Sequence, residues 1–312
     1  MYVLRRRTRL DIWAPAKLNL YLEVLDRRAD GFHEIETLMV SVSLFDRLCL
    51  TSSDDEKISL RCHWVPGYGE TSDLGELPAD SDNLVMRALN RLREASGIQA
   101  GLQVELQKRI PTSAGLGGGS SDAAAALVGA NRLWQLNWPR ERLTEIAAEL
   151  GSDVPYFFFG TPAVCRGRGE QIEPIESELK QHVVIIRPPE GLSTPAVYKQ
   201  VDLPSPSNQI QPTLACMQGR QVREISRHMF NRLQPAAIRV SPWIGRLQRE
   251  FDRLDVLGHQ MSGSGSSYFG FCRSAQHARR ISSMLRARCP GRVFEVTTLP
   301  GSQRCIVEAS KN

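Results

Sequence analysis

The chain of 312 residues predicts a fold that mixes strands with helices, and three patterns predict it. Apolar and polar residues alternate along 12–24 and 102–107, the two-residue period of strands with one covered face. Apolar residues recur at helical spacing over 83–95 and 140–150. The two kinds of element interleave to the end, where an apolar strand within 259–272, a helix at 275–288 and a strand at 293–299 give a β-α-β finish.

Taken in order, 12–24 is a strand with Ile12, Ala14, Ala16, Leu18, Leu20, Leu22 and Val24 on one face. Lys17 and Asn19 stand side by side on the other, a pattern that by itself reads as a solvated polar face. Asp30-Gly31 is a turn pair, followed by Phe32 and His33, and 34–50 returns as a strand. Residues 61–80 carry Pro, Gly and acids without periodicity and read as a loop or small insertion. Ser81, Asp82 or Asn83 can cap the helix at 83–95. A helix after residue 119 runs to about Leu136, where Asn137-Trp138-Pro139 breaks it, and Gly151 is placed to cap the helix at 140–150. Residues 172–181 are polar, contain Pro174 and read as a linker before a strand at 183–187.

Composition narrows the class. Hydrophobic content of 41% with 23% charged residues is ordinary for a globular chain, and the length allows one large domain or two of usual size. A net charge of +5 suits an anionic substrate and does not call for nucleic acid. Seven cysteines without CxxC or His-rich spacing suggest reduced thiols in a cytoplasmic protein and argue against a zinc site. Arg5, Arg6, Arg7, Arg9 and Asp11 interrupt any signal-peptide core, 5–7 reads as a solvated basic tail, and no stretch has the length of a membrane span.

The stretch that carries chemistry is 110–127, I-P-T-S-A-G-L-G-G-G-S-S-D-A-A-A-A-L. A strand precedes it, Pro111 ends that strand, and Ser120, Ser121 and Asp122 start a helix of small residues. Glycines let backbone N–H groups turn toward an anion, and a helix N-terminus adds free donors and positive dipole. A flexible glycine turn before an Ala-rich helix is the plainer reading. The common nucleotide loops do not fit: no Lys-Ser/Thr follows Gly119, and the sixth position from Gly115 is Ser120, not glycine.

This stretch resembles the second motif of the GHMP kinases, a superfamily of small-molecule kinases. The rest of the chain carries similar segments in family order: P-A-K-L-N-L at 15–20, R-A-D-G-F-H at 28–33, N-L-V at 83–85, G-S-D-V-P at 151–155, R-G-R-G-E at 166–170, L-S-T-P-A-V-Y at 192–198 and M-S-G-S-G at 261–265, which resembles the family's third motif. Ser152 replaces the usual alanine, and in N-R-L-Q-P at 231–235 Arg232 and Gln234 replace two acids.

The resemblance implies an α+β fold of two domains. Residues 1–175 would form an ATP-binding domain like ribosomal protein S5 domain 2, and 176–312 a ferredoxin-like domain, with the active site between. It implies ATP and Mg²⁺ as cofactors. Pro111, Thr112, Ser113, Ala114, Gly115, Leu116, Gly117, Gly118, Gly119, Ser120 and Ser121 would cradle the phosphates, with Asn83 near adenine. Ser120 or Ser121 would reach the metal or a phosphate oxygen, with Ser121 the candidate for the metal. Lys17 and Asp153 would be catalytic, the aspartate as base and the lysine keeping it charged. Asn19, Phe32, His33, Thr194 and Tyr198 would hold the acceptor. The D-G-F-H segment implies that this acceptor is a cytidine diphosphate sugar alcohol of isoprenoid synthesis, phosphorylated on its 2-hydroxyl. The implied partner is thus a small molecule, with no nucleic acid and no membrane, and the protein a monomer or homodimer. A kinase for another alcohol, such as homoserine or a mevalonate derivative, and a non-catalytic binding protein are the alternatives. The 30–33 segment argues against the first, and intact Lys17 and Asp153 against the second.

Overall fold

The computed structural model describes residues 1–6, 9–68, 74–78, 82–160, 162–203, 208–219, 221–300 and 308–310. Its strands are β1 (Tyr2–Arg6), β2 (Arg9–Arg27), β3 (His33–Ser53), β4 (Ile58–Trp64), β5 (Gly101–Lys108), β6 (Ala163–Arg166), β7 (Gln171–Pro174), β8 (His182–Arg187), β9 (Phe230–Asn231), β10 (His259–Met261), β11 (Tyr268–Cys272), β12 (Arg292–Thr297) and β13 (Glu308–Ser310). Its helices are α1 (Leu84–Ser96), α2 (Gly118–Leu133), α3 (Arg140–Leu150), α4 (Thr194–Tyr198), α5 (Gln211–Gln218), α6 (Val222–Arg227), α7 (Leu233–Val240), α8 (Pro242–Asp252) and α9 (Ala275–Arg288), with a 3₁₀ turn at Pro155–Phe158.

β2 and β3 are the spine. They pair antiparallel with three register shifts, between Pro15 and Ala16, Asn19 and Tyr21, and Val24 and Asp26. The turn joining them is built as its residues dictate: Gly31 takes φ 85°, and the Asp30 carboxylate accepts the Phe32 N–H at 3.1 Å. Around this hairpin the first sheet runs β13-β1-β2-β3-β5-β4, with β6 on β3, β7 on β6 and β9 on β2. One face is covered by α1, α2 and α3. The small residues of α2 permit that closeness, since a Cβ on Gly129 would lie 2.8 Å from Leu50 Cδ2 and 3.1 Å from Ile12 Cδ1.

The second sheet, β10-β11-β8-β12, is antiparallel throughout. β11 and β12 flank β8, so the β-α-β ending is split by a strand, as in a ferredoxin-like domain. Ala16, Leu18 and Leu20 of β2 share one apolar cluster with Val183 and Ile185 of β8 and Phe269 and Phe271 of β11. The central hairpin is therefore covered on both faces. That overturns the solvated-face reading: Lys17 is 4% exposed and Asn19 1%.

Other readings change at the edges. Residues 61–64, expected in a loop, close the edge strand β4, which lies parallel to β5; the rest of that insertion includes 69–73 and 79–80, which, like the cap candidate Ser81, lie outside the described residues. The start of the expected linker is β7, the return of a hairpin with β6. The backbone of 5–6 belongs to β1 and pairs with β2, while Arg7 lies outside the described residues. Gly151 does follow α3, but with φ 172° it is extended rather than left-handed. The helix expected to reach Leu136 ends at Leu133, and Gln135 and Asn137 take positive φ in the turn that follows. No helix among the described residues is long and apolar enough to cross a membrane.

Candidate active site

The glycine loop is shaped by what packs against it as much as by any ligand. Gly115 and Gly117 take φ 71° and 69°. A Cβ on Gly115 would stand 2.1 Å from the Ser262 carbonyl oxygen, and one on Gly117 would stand 2.9 Å from Lys17 Cγ and 3.0 Å from Phe157 Cζ. The loop is tied on both sides. The Lys17 N–H donates to the Leu116 carbonyl at 2.9 Å, the Ser262 hydroxyl to the Gly115 carbonyl at 2.9 Å, and the Ser267 N–H to the Ala114 carbonyl at 3.1 Å. α2 then starts at Gly118, two residues before the expected Ser120, and Gly117 offers no side-chain cap. Its first turn points N–H donors out of the helix end, where an anion is favoured.

Lys17 and Asp153 meet beside this loop. Lys17 Nζ lies 3.3 Å from Asp153 Oδ2, the lysine buried and the aspartate side chain 30% exposed. Asn19 fixes the ammonium: Nζ donates to Asn19 Oδ1 at 2.7 Å, Asn19 Nδ2 donates to Thr37 Oγ1 at 2.8 Å, and that hydroxyl donates to the Tyr21 carbonyl at 2.6 Å. The lysine is thus held from behind while the aspartate opens to the cavity. The turn carrying Asp153 joins α3 to the 3₁₀ turn, which is anchored by buried Tyr156 and Phe157.

A cavity of about 1320 Å³ runs past this pair. At one end Phe32 is 51% exposed, with the Arg168 guanidinium 4.9 Å over its ring. His33 and Tyr198 stack with centroids 5.0 Å apart. Burial first, and then Arg27, lowers the His33 pKa, favouring the neutral ring. Burial, with the Asp153 charge added, pushes the Tyr198 phenol well up. Thr194 and Ser264 share a hydroxyl hydrogen bond of 2.7 Å, joining α4 to the third-motif loop. At the other end Asn83 lines the cavity while capping α1, its Oδ1 accepting the Val85 N–H at 3.0 Å.

Every residue expected in the site lines this one cavity except Ser121. The two serines are sorted by helix geometry: Ser120 faces the cavity, and Ser121, one position on, is fully buried, its hydroxyl without a partner among the described residues. The metal-reaching hydroxyl expected at Ser121 is therefore better placed on Ser120.

Sequence reading missed Lys108 and Asp122, which also line the cavity. Lys108 Nζ is buried between Asp122, at 2.6 Å, and Asp46. Burial, reinforced by Asp46, pushes the Asp122 carboxyl up, while Asp122 and Asp46 together hold the Lys108 ammonium charged against the cost of its own burial. A signal existed: Lys108 falls on the inward face of β5 with Leu102, Val104 and Leu106. The substitutions at 231–235 also find partners. Arg232 forms a two-point ion pair with buried Glu23 at 2.7 and 3.0 Å. Gln234 Oε1 accepts the Met261 N–H at 2.9 Å, and Asn231 Nδ2 donates to the Met261 and Gly263 carbonyls, both at 2.8 Å. This segment holds the third-motif loop against the site.

Comparison with known proteins agrees with this geometry. The family model of the GHMP kinases N terminal domain matches residues 83–161, and that of the GHMP kinases C terminal matches 214–291. A 4-diphosphocytidyl-2-C-methyl-D-erythritol kinase of Shouchella clausii is 36% identical over 295 residues, 94% of this chain and 96% of its own length. Its counterpart in Pelotomaculum thermopropionicum is 37% identical over 88% of this chain and 92% of its own. A crystal structure of a 4-(cytidine 5'-diphospho)-2C-methyl-D-erythritol kinase superposes with TM-score 0.75 at 34% identity, over 92% of this chain and 98% of that one. A homoserine kinase from Cytophaga hutchinsonii superposes with TM-score 0.73 at 20% identity, over 95% of this chain and 97% of that one, a likeness of fold.

Proposed function

The chain belongs to the GHMP kinases, among the 4-diphosphocytidyl-2-C-methyl-D-erythritol kinases, and from that premise we propose how its residues phosphorylate the 2-hydroxyl of that cytidine diphosphate sugar alcohol in isoprenoid synthesis. The observation that carries the reading is the Lys17–Asp153 pair, set between a glycine-lined helix start and an aromatic end of one cavity.

ATP enters with its phosphates on residues 111–119 and the first turn of α2, and its adenine toward Asn83 and Lys108. The acceptor lies at the other end, its cytosine among Phe32, His33 and Tyr198, with Thr194 and the Asn19 region along its length. Its hydroxyl meets Asp153, which orients it and takes its proton. The hydroxyl oxygen bonds to the γ-phosphorus, the bond from that phosphorus to the β–γ bridging oxygen breaks, and ADP leaves. Lys17, 3.3 Å from Asp153, holds that carboxylate in place and offsets charge on the transferred group.

Mg²⁺ fits as a companion of the nucleotide. Among the described residues no cluster of three or more His, Cys, Asp or Glu could hold a metal, which suits an ion carried largely by phosphate oxygens and water. Ser120, which faces the cavity, would offer its hydroxyl to that ion, and the bound ion would offset charge on the phosphates. For this reading we divide the chain at 175/176, with β9 and β13 returning to the first sheet. We also infer a cytoplasmic monomer or homodimer. Mass spectrometry of products from ATP, Mg²⁺ and a panel of alcohols tests the function. A single phosphate on the cytidine diphosphate acceptor is expected; phosphorylation of homoserine or mevalonate in its place would overturn the reading.

A further inference from the structure

The acceptor end of the cavity carries cations that, among the described residues, are unpaired or only loosely paired. Arg168 sits at the tip of the β6–β7 hairpin between Gly167 and Gly169, both at positive φ. That tip is clamped to the Asp30-Gly31 turn. The Gly167 N–H donates to Glu34 Oε1 at 3.1 Å, the Ile35 N–H donates to the Gly167 carbonyl at 2.8 Å, and Arg28 holds the other Glu34 oxygen at 2.7 Å. The clamp spends the charge of Arg28 and fixes the backbone beside Arg168. Arg168 itself keeps a guanidinium 29% exposed, 4.9 Å over Phe32, with Glu170 3.9 Å away, beyond hydrogen-bond reach. Arg27 stands directly across the β2–β3 pair from His33. It and Lys199, next to Tyr198, are exposed on the same cavity wall, and neither has an ion-pair partner among the described residues.

Three cations around three aromatic rings describe a receptor for a base that carries negative charge. We propose that Arg168, with Arg27 and Lys199, forms an anion subsite that holds the diphosphate bridge of the acceptor. The inference rests on the functional reading above and adds to it the groups that meet the diphosphate. The guanidinium offers a planar fork to phosphate oxygens, and the stack on Phe32 holds that fork in place. Phe32 then serves the base with the face that Arg168 leaves free.

The test is competition binding of cytidine, CMP and CDP, alongside the acceptor and an ATP analogue, to the wild type, Arg168→Gln and Arg168→Lys. Arg168→Gln should weaken CDP and the acceptor by about five- to tenfold, the scale of one partly exposed charge-assisted contact. Cytidine and the ATP analogue should hardly change, which also reports an intact fold. Arg168→Lys should fall between, because the charge stays and the fork is lost. The salt dependence of CDP binding should flatten in Arg168→Gln. Equal losses for cytidine and CDP would overturn the proposal, leaving Arg168 as a support for Phe32. No loss for either would also overturn it. Failure of the functional reading looks different: the wild type itself would neither bind nor phosphorylate the cytidine diphosphate acceptor.

Discussion

Asp153 presents one carboxylate oxygen 3.3 Å from a buried ammonium and faces the cavity with the rest. Asp153→Asn keeps shape and polarity while removing the basic oxygen. Turnover should fall by roughly 10²–10⁴, the span usual for a positioned acid or base, with the thermal midpoint little changed. Steady-state kinetics showing near wild-type kcat would remove Asp153 from the proton transfer. Phe32 belongs to the acceptor side in the same way. Base–aromatic stacking is worth about 1–3 kcal/mol by alanine substitution in nucleic-acid complexes, and about 1.4 kcal/mol is tenfold. Phe32→Ala should therefore weaken the acceptor by roughly one to two orders of magnitude and leave ATP nearly untouched, whereas Phe32→Tyr keeps the ring face and should be mild. Calorimetry showing equal losses for both ligands would make Phe32 a packing residue.

At the level of elements, the loop and the strand beneath it are one unit. A Cβ on Gly117 meets Lys17 Cγ and Phe157 before it meets any phosphate. Gly117→Val should thus displace the catalytic lysine as well as strain a positive-φ position, lowering kcat along with ATP affinity. Unchanged nucleotide affinity and turnover in a folded variant would refute this. The elements legible in the sequence were those with a clean period: α3, α9 and the β2–β3 hairpin lie close to where periodicity puts them. β4 was not, because an edge strand with Arg61 exposed and His63 and Trp64 half-exposed carries too weak an alternation to stand out from an insertion rich in Gly and Pro. Nor was burial of Lys17 and Asn19, since alternation says which residues share a face and not what covers it. The site divides likewise. Contiguous motifs were readable, Arg168 within 166–170 among them, but that Lys108 and Arg27 join the cavity and that Arg168 lies over Phe32 follow only from strand pairing and a hairpin tip, which single-residue spacing does not reveal.

Across the whole molecule, the two sheets meet at β2, and Arg232 makes that junction specific. Glu23 is fully buried on β2, with its oxygens accepting from the Val24 and Asn208 N–H groups at 3.0 and 2.8 Å and from Arg232 at 2.7 and 3.0 Å. The next residue from Arg232, Leu233, starts α7, and Asn231 on its other side holds the third-motif loop. A carboxylate at this depth needs its cation, and removing one partner of a buried pair typically costs about 3–5 kcal/mol. The Arg232 side chain is 26% exposed, so water screens part of the loss, and Arg232→Gln should cost about 2–3 kcal/mol. Glu23→Gln should also destabilise, because Arg232 loses its ion pair and one amide oxygen must replace two. The double variant should lose less than the two single losses combined, since neither stranded charge then remains. Urea denaturation of all four proteins gives the cycle directly. Single losses below about 0.5 kcal/mol with no coupling would make this an ordinary surface pair, and Arg232 would then have no part in setting β2 against the second half.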